Sequence, residues 1–227
     1  MENVTVVITS SNRHDLLERT LDSFVRWNTY KHISGILLFE DSNTYPSFVE
    51  NNPKYEEYSI SVLHTQPRLG QLLSIDVAYK YVSDRYIFHC EDDWEFYAEG
   101  FIEDSIPILE AYPHVLQVHL RHPSQVFTAG ELNYTVDASG SFAHIHEGRS
   151  GRRVWYGFSF NPGLRRLSDY QRLGSYSGQL LTERYIGQHF EAYIGILYKE
   201  LGYTAAISLG NGGQGFVRHI GEGRHVM

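Results

Sequence analysis

The stretch Tyr86-Ile87-Phe88-His89-Cys90-Glu91-Asp92-Asp93-Trp94 constrains this chain more than any other. An apolar run suited to a buried strand ends abruptly in three consecutive acids. Three adjacent carboxylates repel one another unless positive charge sits among them. A hard divalent cation meets that need, because Mg²⁺ or Mn²⁺ takes carboxylate oxygens and shares its remaining positions with phosphates. In open α/β sheets, ligands bind outside the carboxyl ends of the strands, where these acids would stand. The competing reading is a helix start, with Asp92 or Asp93 as N-cap and the other acids complementing the helix dipole.

The flanking sequence favours the sheet. Residues 4–9 are β-branched throughout, which predicts a strand buried on both faces. Leu16, Leu17, Thr20, Leu21, Phe24 and Val25 then recur at helical spacing. A second strand is expected over 35–39, ending in Glu40-Asp41-Ser42-Asn43, a third over 59–64, and a helix over 70–82. Such alternation implies right-handed crossovers and a parallel sheet. Beyond Trp94 the pattern predicts a helix over 101–112, with Pro107 kinking or breaking it, and a strand over 115–120. Residues 121–151 read as connections and hairpins, and 154–160 as a strand. A short helix over 168–173, a longer one over 183–201 and a last strand over 203–208 follow. The glycine-rich run 210–215 is either a mobile segment that closes over a ligand or a plain surface loop.

Composition removes several classes. With 227 residues and 42% hydrophobic content, a soluble chain is expected that holds one large domain, or a core half and an appended half. A net charge of −8 without a basic stripe argues against nucleic acid as partner. The single Cys90 has no partner for an internal disulfide and fits a reducing compartment. No run of eighteen apolar residues predicts a transmembrane segment, and Met1-Glu2-Asn3 lacks the positive start of a signal peptide, so a cytoplasmic location is expected. Gly-x-Gly-x-x-Gly is missing after the first strand, which disfavours a nicotinamide or flavin enzyme. His144-x-His146 with Glu147 has the spacing of a cupin metal site, but the flanking pattern is incomplete; His119 and His122 read as ordinary polar residues. Trp94, Trp155 and Tyr156 either stack on a ligand or belong to the core.

Read in order, the segments resemble family-2-like glycosyltransferases of the GT-A fold over nearly the whole chain. Val6-Val7-Ile8-Thr9-Ser10-Ser11-Asn12-Arg13, followed by residues 16–24, is similar to their opening strand and helix. Asp41 ends the second strand where they hold a nucleoside-contacting acid. Arg68-Leu69-Gly70-Gln71 resembles their turn before the helix leading to the metal motif, and Glu91-Asp92-Asp93 stands at their Asp-x-Asp position. Asn161-Pro162, with Glu191 and Gly202-Tyr203, resembles the segment carrying their base, and His219-Ile220-Gly221 looks like their C-terminal metal-binding histidine. Two departures stand out: Glu91 replaces the first Asp of the motif, and the family's Glu-Asp pair before the final helix is absent.

The resemblance implies an α/β fold of GT-A type, a Rossmann-like mixed, mostly parallel sheet flanked by helices, with a smaller C-terminal acceptor-side region. The whole chain, 1–227, would be one domain, with a nucleotide-sugar half (1–95) and an acceptor-binding and catalytic half (96–227). It implies a metal-dependent, inverting glycosyltransferase using a UDP-sugar or GDP-sugar and a carbohydrate acceptor, with Mn²⁺ or Mg²⁺ as cofactor. Asp93 and His219 would hold the metal, with His225 a weaker alternative to His219. Thr9, Ser11, Arg13, Asp41, Arg68, Gln71, Glu91 and Asp92 would face the nucleotide sugar, and Glu191 would be the base, with Glu183 and Asp169 as rivals. Two other readings stay open at this point: a nucleotidyltransferase on a related sheet, and a non-catalytic nucleotide- or carbohydrate-binding module of a longer polypeptide.

Overall fold

A computed structural model describes residues 2–122, 124, 131–150, 153–181 and 190–224. The β-branched opening run lies inside the sheet. Strands β1 (Val4–Ser10), β2 (Ile33–Glu40), β3 (Ile60–His64) and β4 (Tyr86–Glu91) run parallel in the order β3-β2-β1-β4. Helix α1 (His14–Trp27) joins β1 to β2, burying Leu16, Leu17, Thr20, Leu21 and Phe24, and α2 (Gln71–Tyr79) joins β3 to β4. The register sets Ser10 beside Glu40 and Thr9 beside Glu91, so three strands end level with one another.

The second half extends the same sheet. After β5 (Trp94–Phe96) and α3 (Ser105–Ala111) come β6 (Val115–His119), β7 (Glu131–Val136), β8 (Phe142–Ser150), β9 (Arg153–Trp155) and β10 (Gly163–Arg166). Helices α4 (Leu167–Leu173), α5 (Tyr176–Leu180) and α6 (Phe190–Glu200) precede β11 (Thr204–Ser208) and β12 (Val217–His219). From β4 the sheet continues β10-β6-β11-β8-β7, with β10 antiparallel to both β4 and β6, and β6 parallel to β11. Both faces are packed. On the α1 side, Phe24, Phe88, Phe96 and Phe101 form a cluster with ring centroids 4.9–6.0 Å apart. On the other face Tyr79, Phe158, Phe160, Tyr176 and Tyr198 pack together. Each such ring stabilises the fold by roughly 1.5–3 kcal/mol relative to its exposed state.

The competing reading of the acidic triplet falls, and one strand expectation changes. The acidic triplet starts no helix: β4 ends at Glu91, the chain turns at Asp92 and Asp93, and β5 follows at once. The strand expected over 154–160 is confined to β9, and the strand that reaches the sheet centre is β10 instead. Gly163-Leu164-Arg165-Arg166 does not read as central strand because two of its four residues are cationic, yet both arginines are buried. Gly163 permits this position, since a Cβ there would lie 2.5 Å from the Val118 carbonyl oxygen on β6. Among the described residues, no helix is long and apolar enough to cross a membrane.

Candidate functional site

The acidic turn is held from below by α1. Thr20 Oγ1 donates to the Asp92 carbonyl at 2.8 Å and accepts from Trp94 N at 3.2 Å, while Ser23 Oγ accepts from Phe96 N at 3.0 Å. Asp92 and Asp93 are therefore fixed above the carboxyl ends of β1 and β4 by two hydroxyls on the buried face of a helix. Thr20 and Ser23 are not distinguishable in sequence from helix residues that merely fill space.

Arg13, at the start of α1, lies on both carboxylates. Its Nη1 donates to Asp93 Oδ2 at 2.8 Å, its Nε to Asp92 Oδ2 at 3.2 Å, and its Nη2 to Asp92 Oδ1. Ser11 N also donates to Asp92 Oδ2, at 3.3 Å. Burial pushes the Asp92 carboxyl up, to about 6, against the pull of Arg13. For Asp93, burial acts in the same sense, but hydrogen bonding from His219 and the charge of Arg13 outweigh it, and the carboxyl is held below its ordinary value. Burial drives Glu91 well above the usual carboxylate range, with the charges of Asp93, Glu191 and Asp92 adding to it.

The C-terminal segment reaches this turn through a ribbon. β12 pairs antiparallel with β5, with His219 opposite Trp94 and Val217 opposite Phe96. Ile220 N donates to the Asp93 carbonyl at 2.8 Å, and His219 Nε2 donates to Asp93 Oδ2 at 3.1 Å. Gly221 closes against the same carboxylate, where a Cβ would come within 2.4 Å of Oδ2. Arg224 continues the strap, with its guanidinium on Asp15 and its carbonyl accepting from Arg13 Nη1 at 3.2 Å. Asp93 and His219, 126 positions apart, thus converge on one point.

The nucleotide-side candidates form one connected patch. Asp41 is buried, and its carboxylate accepts from Leu69 N at 2.7 Å and Gly70 N at 2.8 Å, shaping the turn before α2. Ser11 Oγ donates to the Asp41 carbonyl at 2.8 Å and accepts from Arg68 Nη2 at 3.0 Å. Gln71 Nε2 donates to Glu91 Oε1 at 2.6 Å, and Thr9 lies beside Glu91 in register.

Glu191 stands in the first turn of α6. Its Oε1 accepts from Phe160 N at 2.8 Å and from Ser159 Oγ at 3.1 Å, in the loop entering β10 beside the end of β4. Its charge reaches Glu91 and also Arg121, whose guanidinium sits 5.1 Å over the Trp94 ring. Arg121 carries no sequence signal because residues 121–151 read as connections and hairpins, and Ser159 carries none because it lies in a run that reads as an ordinary strand. Asp169 lies at the opposite end of the sheet, paired with Arg166 at 2.8 Å, and Arg166 is in register with Tyr86 at the start of β4. Glu183 and His225 lie outside the described residues. His144 stacks on His114 at 5.9 Å on the far side of β11, and His146 meets Thr135, so neither approaches the acidic turn. His119 is buried and donates to the Gly157 carbonyl at 2.6 Å. Trp94 is core, whereas Trp155 and Tyr156 are partly exposed. Residues 210–215 form a tight turn, with Asn211 Nδ2 donating to the Gly215 carbonyl at 2.8 Å.

Whether this centre fits a divalent ion is decided by its donor set. One carboxylate oxygen and one imidazole nitrogen converge, with the Gly221 backbone packed against that carboxylate and Arg13 Nη1 on the same oxygen. That set suits Mn²⁺ better than Mg²⁺. Among the described residues, no group of three or more His, Cys, Asp or Glu is arranged to hold an ion.

The chain matches no protein-family model and no curated protein. Solved structures do resemble it. A mannosyltransferase from Pyrobaculum calidifontis, in complex with GDP-Man and Mn²⁺, superposes with a TM-score of 0.64 at 14% identity over 94% of this chain and 59% of its own. GalNAc-T7 with UDP, GalNAc and Mn²⁺ gives 0.66 at 14% identity, over 96% of this chain and 43% of its own. TarS 1-349 of S. aureus gives 0.61 at 10% identity, over 95% and 59%. The chain therefore spans roughly half the length of the structures it resembles. Over the 94–96% of the chain that these structures cover, the architecture is the GT-A fold.

Proposed function

We propose that this chain is a metal-dependent glycosyltransferase, moving a sugar from a UDP-sugar or GDP-sugar to an acceptor hydroxyl with inversion. The observation that carries the reading is the convergence of Asp93 Oδ2 and His219 Nε2 above the carboxyl ends of β1 and β4. Asp93 and His219 would hold Mn²⁺, which when bound offsets the charge that develops on a departing diphosphate. The complexes of the mannosyltransferase and GalNAc-T7 with nucleotides and Mn²⁺ support this reading. Asp41 and the turn it shapes, with Ser11 and Arg68, present polar groups to the nucleoside. Arg13 fixes Asp92 and thereby the acidic turn. Glu191, on the C-terminal side of the centre, takes the acceptor proton as general base. With Glu191 as base on the acceptor, a direct attack from the face opposite the leaving diphosphate would invert the anomeric centre.

The test is thermal shift against a panel of UDP- and GDP-sugars with and without Mn²⁺, followed by product analysis. A Mn²⁺-dependent shift and release of nucleoside diphosphate are expected. Asp93→Asn should abolish the release, and His219→Ala should weaken Mn²⁺ affinity measured with nucleoside diphosphate present. Release of pyrophosphate would make the chain a nucleotidyltransferase. Binding without turnover for any donor and acceptor would make it a binding module.

A further inference from the structure

Ser159 is the most constrained residue of the loop entering β10. Its own amide donates to Gln117 Oε1 at 3.4 Å, and its carbonyl accepts from Arg165 Nη2 at 3.1 Å. Both partners are buried: Gln117 stands on β6 and Arg165 on β10, in register with each other. The buried guanidinium lies among Phe158, Tyr79, Tyr176 and Tyr198 rather than on a carboxylate. A buried cation is costly to place in a core, and in this position its hydrogen bond fixes the Ser159 backbone. The Ser159 hydroxyl is oriented in turn. Asn161 N donates to Oγ at 3.2 Å, which leaves the hydroxyl proton directed at Glu191 Oε1, 3.1 Å away. The Phe160 amide meets the same oxygen at 2.8 Å. One carboxylate oxygen is thus held by two donors whose positions are set from inside the sheet, and the charge of that carboxylate reaches Arg121 and Glu91.

We propose that Ser159 is a positioning residue for Glu191, fixing the plane and rotamer of the carboxylate so that it meets the acceptor hydroxyl in line with the donor sugar. This rests on the reading of Glu191 as the general base. The hydroxyl and amide act together as a clamp, and the buried Gln117–Arg165 pair keeps the clamp from moving with the surface loops.

The experiment compares the parent with Ser159→Ala, Ser159→Thr and Glu191→Gln. The readouts are nucleoside diphosphate release from a panel of UDP- and GDP-sugars with Mn²⁺, and crystal structures with UDP or GDP and Mn²⁺. Ser159→Ala should lower kcat roughly tenfold to a hundredfold, the scale of misplacing a reacting group, with donor KM unchanged. Ser159→Thr, which keeps the hydroxyl, should restore most of the loss. Glu191→Gln should cost on the order of 10²–10⁴ in kcat. In the crystals, Glu191 should keep its bonds to Ser159 and Phe160 in the parent and turn away in Ser159→Ala. If Ser159→Ala leaves kcat and the Glu191 rotamer as in the parent while Glu191→Gln is inactive, the positioning role is wrong. A loss not restored by Thr and matched by a fall in Tm also overturns it. Full activity in Glu191→Gln removes the underlying reading instead.

Discussion

Arg13 Nη1 lies 2.8 Å from Asp93 Oδ2, the same oxygen that His219 Nε2 approaches to 3.1 Å. A guanidinium thus supplies positive charge at the atom expected to hold a divalent ion, and the two cations compete for it. Arg13→Met should therefore raise Mn²⁺ affinity in the absence of nucleotide, as read by Mn²⁺ electron paramagnetic resonance. The same change leaves the buried Asp92 without its cation and should cost roughly 3 kcal/mol of stability in urea at neutral pH. Unchanged values for both quantities would mean that the contact carries no energy.

Gly221 offers a test of the strap that spares every charged group. A Cβ at this position would lie 2.4 Å from Asp93 Oδ2 and 2.8 Å from its Cβ. Gly221→Ala must displace either the strap or the carboxylate. Mn²⁺ binding in the presence of UDP or GDP should fall at least tenfold, while Tm drops by only a few degrees. Normal Mn²⁺ affinity in this variant would show that the strap does not shape the metal centre.

Asp41 acts first on its own backbone. Its two oxygens accept one amide each, from Leu69 and Gly70. Asn in its place offers one acceptor and turns an NH₂ toward an N–H. Asp41→Asn should cost about 1–3 kcal/mol of stability, the penalty of a buried donor left unpaired. Weaker nucleotide binding should accompany it, seen as a smaller thermal shift with UDP or GDP. A variant as stable as the parent would show that the turn holds its shape without these bonds.

His119 predicts how stability responds to acid. Burial is the main cause of its shift, with Arg165 and Arg121 acting the same way and the bond to the Gly157 carbonyl opposing, and it is pushed down to about 4. An unfolded histidine titrates near ~6.5. Between those values the unfolded chain binds the proton and the folded chain does not, so stability rises with pH across this window. The contribution is complete above pH ~6.5 and is lost as pH falls toward 4. Between pH 7.5 and 4.5, urea unfolding should show the parent losing about 2–3 kcal/mol more than His119→Gln. Equal losses in the two proteins would count against a neutral buried imidazole.

Much of this architecture is legible in the chain itself. β1, β2 and β4 announce themselves because a strand buried on both faces must be continuously apolar, and the acids at 91–93 mark where the apolar run stops. Thr9, Ser11, Asp41, Arg68 and Gln71 fall into one patch for the same reason. Each sits at or just past a carboxyl end, and parallel register aligns those ends. β10 is not legible, since Arg165 and Arg166 look solvated until Phe158, Tyr176 and the carbonyls around them enclose both side chains.

What the sequence determined by itself is the set of local facts: which runs are apolar enough to be strands, where they stop, and which chemistry waits at each end. What the tertiary structure alone decided is pairing across distance. Arg13 meets Asp93 80 positions away, and His219 meets it from 126. Whether Arg13 faces a nucleotide or an acid, and whether β12 lies on β5, depends on packing around Thr20, Ser23 and Gly221, each of which is silent when read alone. Periodicity reports only on neighbours along the chain. The energy of these contacts is realised only after loop closure has brought the partners together, so nothing local in the sequence records it.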